Sequence, residues 1–376
     1  MRIGIVVGEQ SGDNLGAGLM RAILKTHPDC IFEGIGGPEM QKLGLQSMFP
    51  MERLSVMGFI EPLGRLPELL RIERSLIQHF TLNPPDIFIG IDSPAFNLRI
   101  ERVLRQQNIK TAHYVSPSVW AYAEKRIERI AQAVDIMLVL LPFETSIYQA
   151  YDIPVKFVGH PLADRIDQTV IGDDIREEFK LGSQDTAIAL LPGSRGNEIK
   201  RIAPVFLQTA RDAMRKFPQL KFLLPCANQH RYKQLEMLIK KYDCESIVKL
   251  IDGQAHKVIA ASDFVFITSG TATLEALLLR KPMVICYKLA PLTYFFASRM
   301  LKVPYVGLPN LLAGRLLVPE YLQDQVTVKN LSAELDRFMT GHWEQGTLVS
   351  EFESIHRQLA VDADNRAAKA ILELLN

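Results

Sequence analysis

An acid that ends an apolar run is the first residue in this chain whose type and place suggest chemistry. In "PDIFIGIDSPAFNLRI", residues 85–100, the run Ile87 to Ile91 stops on Asp92, followed by Ser93 and Pro94. Asp92 either caps the helix that follows or presents a carboxylate with a task of its own. After the first apolar run comes "GEQSGDNLGAG", in which Gly8 and Gly12 permit a tight turn close to a ligand and Glu9 projects from it. Asp13 or Asn14 is the expected helix cap there, and an ordinary Gly-rich turn is the alternative reading. In the second half, "LLPGSRGNEIKRIAP" places Gly193 and Ser194 at a turn with free backbone N–H groups, and Arg195 beside them offers a fork suited to phosphate. "DFVFITSGTATLEALL" puts Ser269, Gly270 and Thr271 at a helix start, where exposed N–H groups and the positive end of the helix dipole suit a diphosphate. Glu275 lies further into that helix, in reach of a ribose hydroxyl pair. Two anion-ready loops in one domain reinforce each other.

Several chemistries are excluded by what the motifs lack. No G-x-G-x-x-G follows the first run, and the phosphate-loop pattern is absent. Acids near the strand ends are single, with no Asp-x-Asp to hold a divalent ion, so no metal site is expected. A metal-free mechanism then needs Arg195, the helix dipole and backbone N–H groups to stabilise a leaving diphosphate. Ser194 lacks a Gly-x-Ser-x-Gly frame, which argues against a serine hydrolase.

These residues need rigid elements behind them. Apolar runs alternate with helical patterns almost throughout: "RIGIVVG", "IFEGIG", "DIFIGID", "KTAHYVS", "IMLVLLP" and "VKFVGH", then "TAIALLPG", "LKFLLPC", "IVKLIDG", "DFVFITS" and "PMVICY". Runs apolar on both faces and joined by helices predict parallel sheets covered on two sides. The fold class is α/β, with two Rossmann-like doubly wound domains facing across a cleft, where ligands sit at the carboxyl ends of strands. The polar, acidic stretch around 165–180 reads as the linker. The domains are 1–168, 169–345 and a helical tail 346–376 that packs back on the first domain or on a partner. A chain of 376 residues accommodates this division. Its 43 basic and 42 acidic residues leave a formal net charge of +1, which argues against a nucleic-acid binder. Cys30, Cys226, Cys244 and Cys286 are scattered, which predicts a reducing compartment and no disulfide framework. The first run is too short for a signal peptide, and no segment approaches the ~20 apolar residues of a membrane span. A cytoplasmic location is the expectation.

Together with "GIGGPEM", "MGFIEPLGRLP", "HYVSPSVWAY", "LLPFE", "FVGHPLAD" and "YVGLPNLLAGR", these strings resemble the bacterial lipid-A-disaccharide synthase family, glycosyltransferase family 19, from residue 3 to about 320. The resemblance implies a two-Rossmann-domain (GT-B) hexosyltransferase with no cofactor. Such an enzyme joins UDP-2,3-diacylglucosamine to 2,3-diacylglucosamine 1-phosphate (lipid X), forming a β-1,6-linked disaccharide and releasing UDP. It implies that Asp92 is the base that takes the acceptor 6-hydroxyl proton. Glu9 then orients the acceptor or shares the proton work. On the donor side it implies Ser194, Arg195, Ser269, Gly270, Thr271 and Thr273 around the diphosphate, Glu275 at the ribose, and Asn310 as a further polar contact with Arg315 near it. His113 and His160 also end strands; either orients the substrate or, the favoured reading, each is satisfied by backbone groups. Trp120 and Tyr122 line the site or fill the core.

Lipid substrates imply a protein peripherally associated with the inner membrane, and the resemblance leaves room for a homodimer. Val56, Met57, Phe59, Ile60 and Leu63 form an apolar cluster broken by glycine and proline, with Leu66, Leu69 and Leu70 following at helical spacing. They are expected to admit acyl chains or dip into the bilayer. Other UDP-sugar enzymes of the same architecture (a 2-epimerase or an N-acetylglucosaminyltransferase of cell-wall synthesis), a non-catalytic UDP-sugar sensor and a lipid-binding scaffold are the alternatives. The sensor would bind UDP without turnover; the scaffold would bind membrane without UDP.

Overall fold

Two all-parallel sheets carry the chain. The computed structural model describes residues 1–54, 61–117, 125–166, 173–290, 294 and 304–375; the side chains of 61–64, 125, 126, 173 and 174 lie outside the described set. The first sheet holds β1 (Arg2–Val7), β2 (Ile31–Ile35), β3 (Gln46–Ser47), β4 (Ile87–Ile91), β5 (Lys110–Tyr114), β6 (Ile136–Val139) and β7 (Val155–Phe157), in the order β3-β2-β1-β4-β5-β6-β7. The second holds β8 (Thr186–Leu191), β9 (Leu220–Cys226), β10 (Val248–Asp252), β11 (Phe264–Thr268), β12 (Met283–Tyr287) and β13 (Glu320–Leu322), in the order β10-β9-β8-β11-β12-β13. Central strands such as β4 and β11 are buried at every position, as a sheet covered on both faces demands.

All eleven apolar runs named from the sequence are strands. Two short edge strands were not named: β3, with two residues, and β13, with three. The strand orders locate the functional edges. In the first sheet the chain builds outward from β1 to β3, then returns to lay β4 on the other side of β1. In the second it does the same from β8 to β10, then lays β11 beside β8. Each reversal leaves a crevice at the carboxyl ends of two neighbouring strands, the usual ligand position in such sheets. The registers Val7↔Ile91 and Leu191↔Ile267 bring the loop pairs that follow these strands side by side.

The chain divides into two compact units, Met1–Arg165 with Gln358–Asn376, and Ile166–Arg357. The first unit therefore includes the end of the sequence. The helix Ala363–Leu375 packs on the helix Gln10–Thr26. Gly18 has no Cβ there; one would stand 2.3 Å from Asp364 Oδ1. The junction is pinned by Asp164, whose carboxylate accepts from Asp362 N (3.0 Å) and Ala363 N (2.7 Å), and by an Arg165–Asp364 ion pair at 3.5 Å. In the second unit Phe264 and Phe266 stack edge-on at 5.3 Å, and Phe338 and Trp343 pack on Phe264.

Candidate active site

In the first unit the loop after β4 is strained. Asp92 (φ 53°) and Ser93 (φ 45°) are consecutive left-handed residues, and Val115, after the adjacent β5, has φ 82°. For residues with a Cβ this costs about 1–2 kcal/mol each and persists only where the surroundings impose it. Asp92 N–H donates to Tyr114 O at 2.9 Å. The buried Asn97 amide donates to Asp92 O at 2.8 Å and reaches Ile91 O and Val6 O, both at 3.3 Å. Gly8 presses on the loop from β1: a Cβ there would stand 2.3 Å from Ser93 Oγ and 3.2 Å from Ser93 Cβ. The helix Pro94–Gln106 is capped by Ser93 and not by Asp92. Asp92 is half-buried, and among the described residues its carboxylate has no hydrogen bond or ion pair. The capping role is thus removed, and an acid remains, held on a braced turn at the sheet's reversal point.

Glu9 lies on the neighbouring loop. It is exposed and takes the N-cap position of the helix Gln10–Thr26 with extended backbone, its side chain not bonding that helix. Neither Asp13 nor Asn14 is that cap. Asp13 is buried inside the helix, and its carboxylate accepts from the backbone N–H groups of Gly37 (3.0 Å), Glu39 (2.9 Å) and Met40 (3.1 Å). It caps a different helix, Pro38–Gln41, and explains the "GGPEM" string in structural terms. Gly12 is likewise helical, so the turn belongs to Gly8 and Glu9.

The two strand-end histidines are interior. His113 Nδ1 meets Glu101 Oε1 at 2.8 Å, both fully buried, so a carboxylate and not the backbone partners that nitrogen. Burial raises the Glu101 pKa, opposed by His113. His160 Nδ1 accepts from Leu162 N at 3.2 Å, a backbone partner. Loss of solvation, and then the Arg165 guanidinium, hold His160 down to about 4.

In the second unit the loop after β8 is short because Gly193 takes φ 105° and sits over Glu198, whose Oε2 would lie 2.5 Å from a Cβ. Ser194 is exposed and Arg195 caps the helix Gly196–Lys216. The Arg195 side chain is 74% exposed and pairs with Glu198 at 3.0 Å. A second guanidinium, Arg231, stands against Gly196 and bonds Gln234 at 2.8 Å; sequence reasoning did not single it out. The register sets this loop beside the next one, and Thr268 Oγ1 ties them by donating to Leu191 O at 3.0 Å.

In that next loop Gly270 is open, with nothing within 4 Å of a built Cβ, and Thr271 is exposed. The first N–H groups of the helix Thr271–Leu278 lie in its first turn, where an anion could be met. Ser269 and Thr273 play a supporting part, since their hydroxyls donate to Val306 O and Gly270 O, each at 2.7 Å. Glu275 Oε1 bonds His256 Nδ1 at 2.7 Å, and that bond raises the His256 pKa. Asn310 is 0% exposed and fully bonded: its amide nitrogen donates to Val318 O and Glu320 Oε1, and its oxygen accepts from Leu317 N and Val318 N. The expected donor contact is not open to it here. It orients Glu320, which accepts from Val306 N and Gly307 N, both at 2.9 Å. Arg315 pairs with Glu351 at 2.7 Å.

Of the apolar patch, Val56, Met57, Phe59, Ile60 and the Leu63 side chain lie outside the described residues, as do Trp120 and Tyr122. On the helix Glu61–Leu82, Leu66 is 43% exposed and Leu69 and Leu70 are half-buried, while Ile72 and Leu76 enter the core. All four cysteines are free. Among the described residues no helix is long and apolar enough to cross a membrane, and no group of three or more His, Cys, Asp or Glu is placed to hold a metal.

The family model described as lipid-A-disaccharide synthetase matches residues 3–371. A curated relative from Pseudomonas fluorescens (strain Pf0-1), named lipid-A-disaccharide synthase, is 52% identical over 100% of this chain and 98% of its own length. Among solved structures, an S. aureus MnaA–UDP co-structure aligns with a TM-score of 0.65 at 12% identity, covering 99% of this chain and 94% of that one. WaaG, a glycosyltransferase involved in lipopolysaccharide biosynthesis, aligns with a TM-score of 0.59 at 12% identity, covering 98% of each chain. At such identity the structures establish the fold alone, which is GT-B.

Proposed function

The chain belongs to the lipid-A-disaccharide synthetase family and joins UDP-2,3-diacylglucosamine to lipid X with release of UDP; from that premise we propose which of its residues do the chemistry. Asp92 is the general base. It takes the proton from the acceptor 6-hydroxyl as that oxygen attacks C1 of the donor, and the C1–O bond to UDP breaks with the electron pair leaving on the diphosphate. The observation that supports this is the Asp92 carboxylate, which has no partner among the described residues and is held at the β1/β4 reversal by two left-handed residues and the Asn97 amide. Glu9, on the adjoining loop, orients the acceptor hydroxyls.

In the second unit the departing diphosphate is met by Ser194, Arg195 and the N–H groups from Gly270 onward, with Arg231 as a further cation beside Gly196. Because these groups can carry the charge, the proposed mechanism employs no divalent cation. Glu275, oriented by His256, takes the ribose. Leu66, exposed on its helix, supports an acyl-facing or bilayer-facing surface and peripheral association with the cytoplasmic face of the inner membrane.

UDP release from UDP-2,3-diacylglucosamine, measured in detergent with EDTA throughout, tests these assignments. Release should require lipid X and fall about 10²-fold or more in Asp92→Asn, as loss of a general base demands. A variant as fast as wild type would end the base assignment; release without lipid X would make the enzyme a hydrolase.

A further inference from the structure

Beside the strained turn lies a cavity of about 400 Å³ with an unusual electrical character. Among the described residues its polar lining consists of three guanidiniums, Arg99, Arg102 and Arg129, with no carboxylate; Leu98, Pro117 and Ile130 supply an apolar floor. Arg99 and Arg102, three residues apart on the helix Pro94–Gln106, share one face. Arg129 comes from the helix Lys125–Ala133. Arg99 pairs with Glu73 at 3.1 Å, which occupies only part of its five-donor fork. Arg102 and Arg129 have no ion-pair partner among the described residues, whereas Arg105, one turn further on, is satisfied by Asp135 and Ala131 O.

With Arg99 already paired to Glu73, Arg102 and Arg129 remain as like charges with no counter-ion among the described residues, an imbalance that an entering anion would relieve. A phosphate monoester is the anion whose oxygens match several guanidinium forks at once. The place matters as much as the charge. Pro94 and Ala95 also line the cavity, and they follow the Asp92–Ser93 turn directly. From Pro94 the helix rises about 7–8 Å to Arg99 and about 12 Å to Arg102 at 1.5 Å per residue, the scale of one hexose ring with a phosphate substituent. A sugar whose 6-hydroxyl meets Asp92 would thus carry its C1 substituent toward the arginines.

We propose that this cavity is the subsite for the 1-phosphate of the acceptor, and that Arg102 and Arg129 select a phosphorylated acceptor over its dephosphorylated counterpart. The proposal rests on the reaction assigned above, and its test separates the two. Acceptor kinetics would be run in nonionic detergent with lipid X and with 2,3-diacylglucosamine lacking the phosphate, for wild type and for Arg102→Gln/Arg129→Gln. Wild type should prefer lipid X in kcat/KM, and the double variant should lose roughly 30-fold of that preference, mainly through KM, as expected when charge-assisted hydrogen bonds are removed. An unchanged preference overturns the proposal. Calorimetric titration with glucosamine 1-phosphate gives a readout independent of turnover. Binding by wild type that the double variant loses supports the subsite even if no UDP is released, in which case the reaction assignment fails alone. No binding by wild type overturns the subsite. An anionic lipid headgroup is the other source of the same chemistry. If the variant loses binding to phosphatidylglycerol vesicles over phosphatidylcholine while its preference for lipid X stays intact, the cavity reads the membrane and the acceptor assignment falls.

Discussion

Replacing Gly8 by alanine should damage catalysis through a residue that touches no substrate. A Cβ built on Gly8 would stand 2.3 Å from Ser93 Oγ and 3.2 Å from Ser93 Cβ, with Leu54 Cβ next at 3.5 Å. The hydroxyl can escape by turning about χ1, but Ser93 Cβ is fixed by the backbone, so the loop itself must yield by a few tenths of an ångström. Overpacking of this kind costs about 1–2 kcal/mol. In a unit of this size that is a melting-temperature loss of roughly 3–6 °C. The yielding segment carries Asp92, the proposed base; since a 1 Å misplacement costs about 10²-fold, a shift of a few tenths of an ångström should lower kcat by up to about tenfold. The structure also specifies the rescue. Ser93→Gly removes both close atoms and suits the left-handed φ of 45°, while no side-chain cap bond is lost. Gly8→Ala/Ser93→Gly should therefore recover most of the stability and kcat, measured by thermal melting and UDP release. If Gly8→Ala melts and turns over like wild type, or if the double variant is no better than the single one, the bracing argument is wrong.

Two further outcomes follow from electrostatics. His160, held down to about 4 against an unfolded value near 6.5, binds fewer protons folded than unfolded between those pH values; its contribution is present above pH 6.5 and is lost as pH falls toward 4. The full loss is at most about 3 kcal/mol, and His160→Asn, which keeps an acceptor for Leu162 N–H but cannot titrate, should melt with a shallower decline between pH 6.5 and 4.5; parallel curves would refute this. Glu275→Gln should lower the pKa of His256, read by NMR titration, and raise KM for the donor about tenfold as a ribose hydrogen bond weakens; an unmoved His256 would show that the 2.7 Å contact is not its governing partner.

The sequence disclosed those parts of the molecule whose cause is local. The eleven strands were readable because each is a continuous apolar run. β3 and β13 were not, because Gln46–Ser47 and Glu320–Leu322 have neither the length nor the composition of a buried strand and are strands only through their neighbours. The loops after β1, β4, β8 and β11 were readable from their glycines and charges. That they fall in pairs at two reversal points was not, since it depends on β4 lying beside β1 and β11 beside β8. Side-chain partnerships across long separations were hidden for the same reason. Asp13 looked like the cap of its own helix and instead serves Gly37, Glu39 and Met40. Asn310 looked like a ligand contact because nothing in "LPNLLAGR" announces Glu320 as its partner.

The docking of the final helix has a consequence for how the protein is made. The first unit is assembled from Met1–Arg165 and Gln358–Asn376, with the whole second unit encoded between them. During synthesis the second unit emerges entire and can close its core while the first still waits for its last helix. Until Asp364 reaches Gly18 and Asp164 finds the N–H groups of Asp362 and Ala363, one flank of the helix Gln10–Thr26 stays uncovered. The unit that begins first in the chain can therefore be completed only after every residue of the second unit has been made.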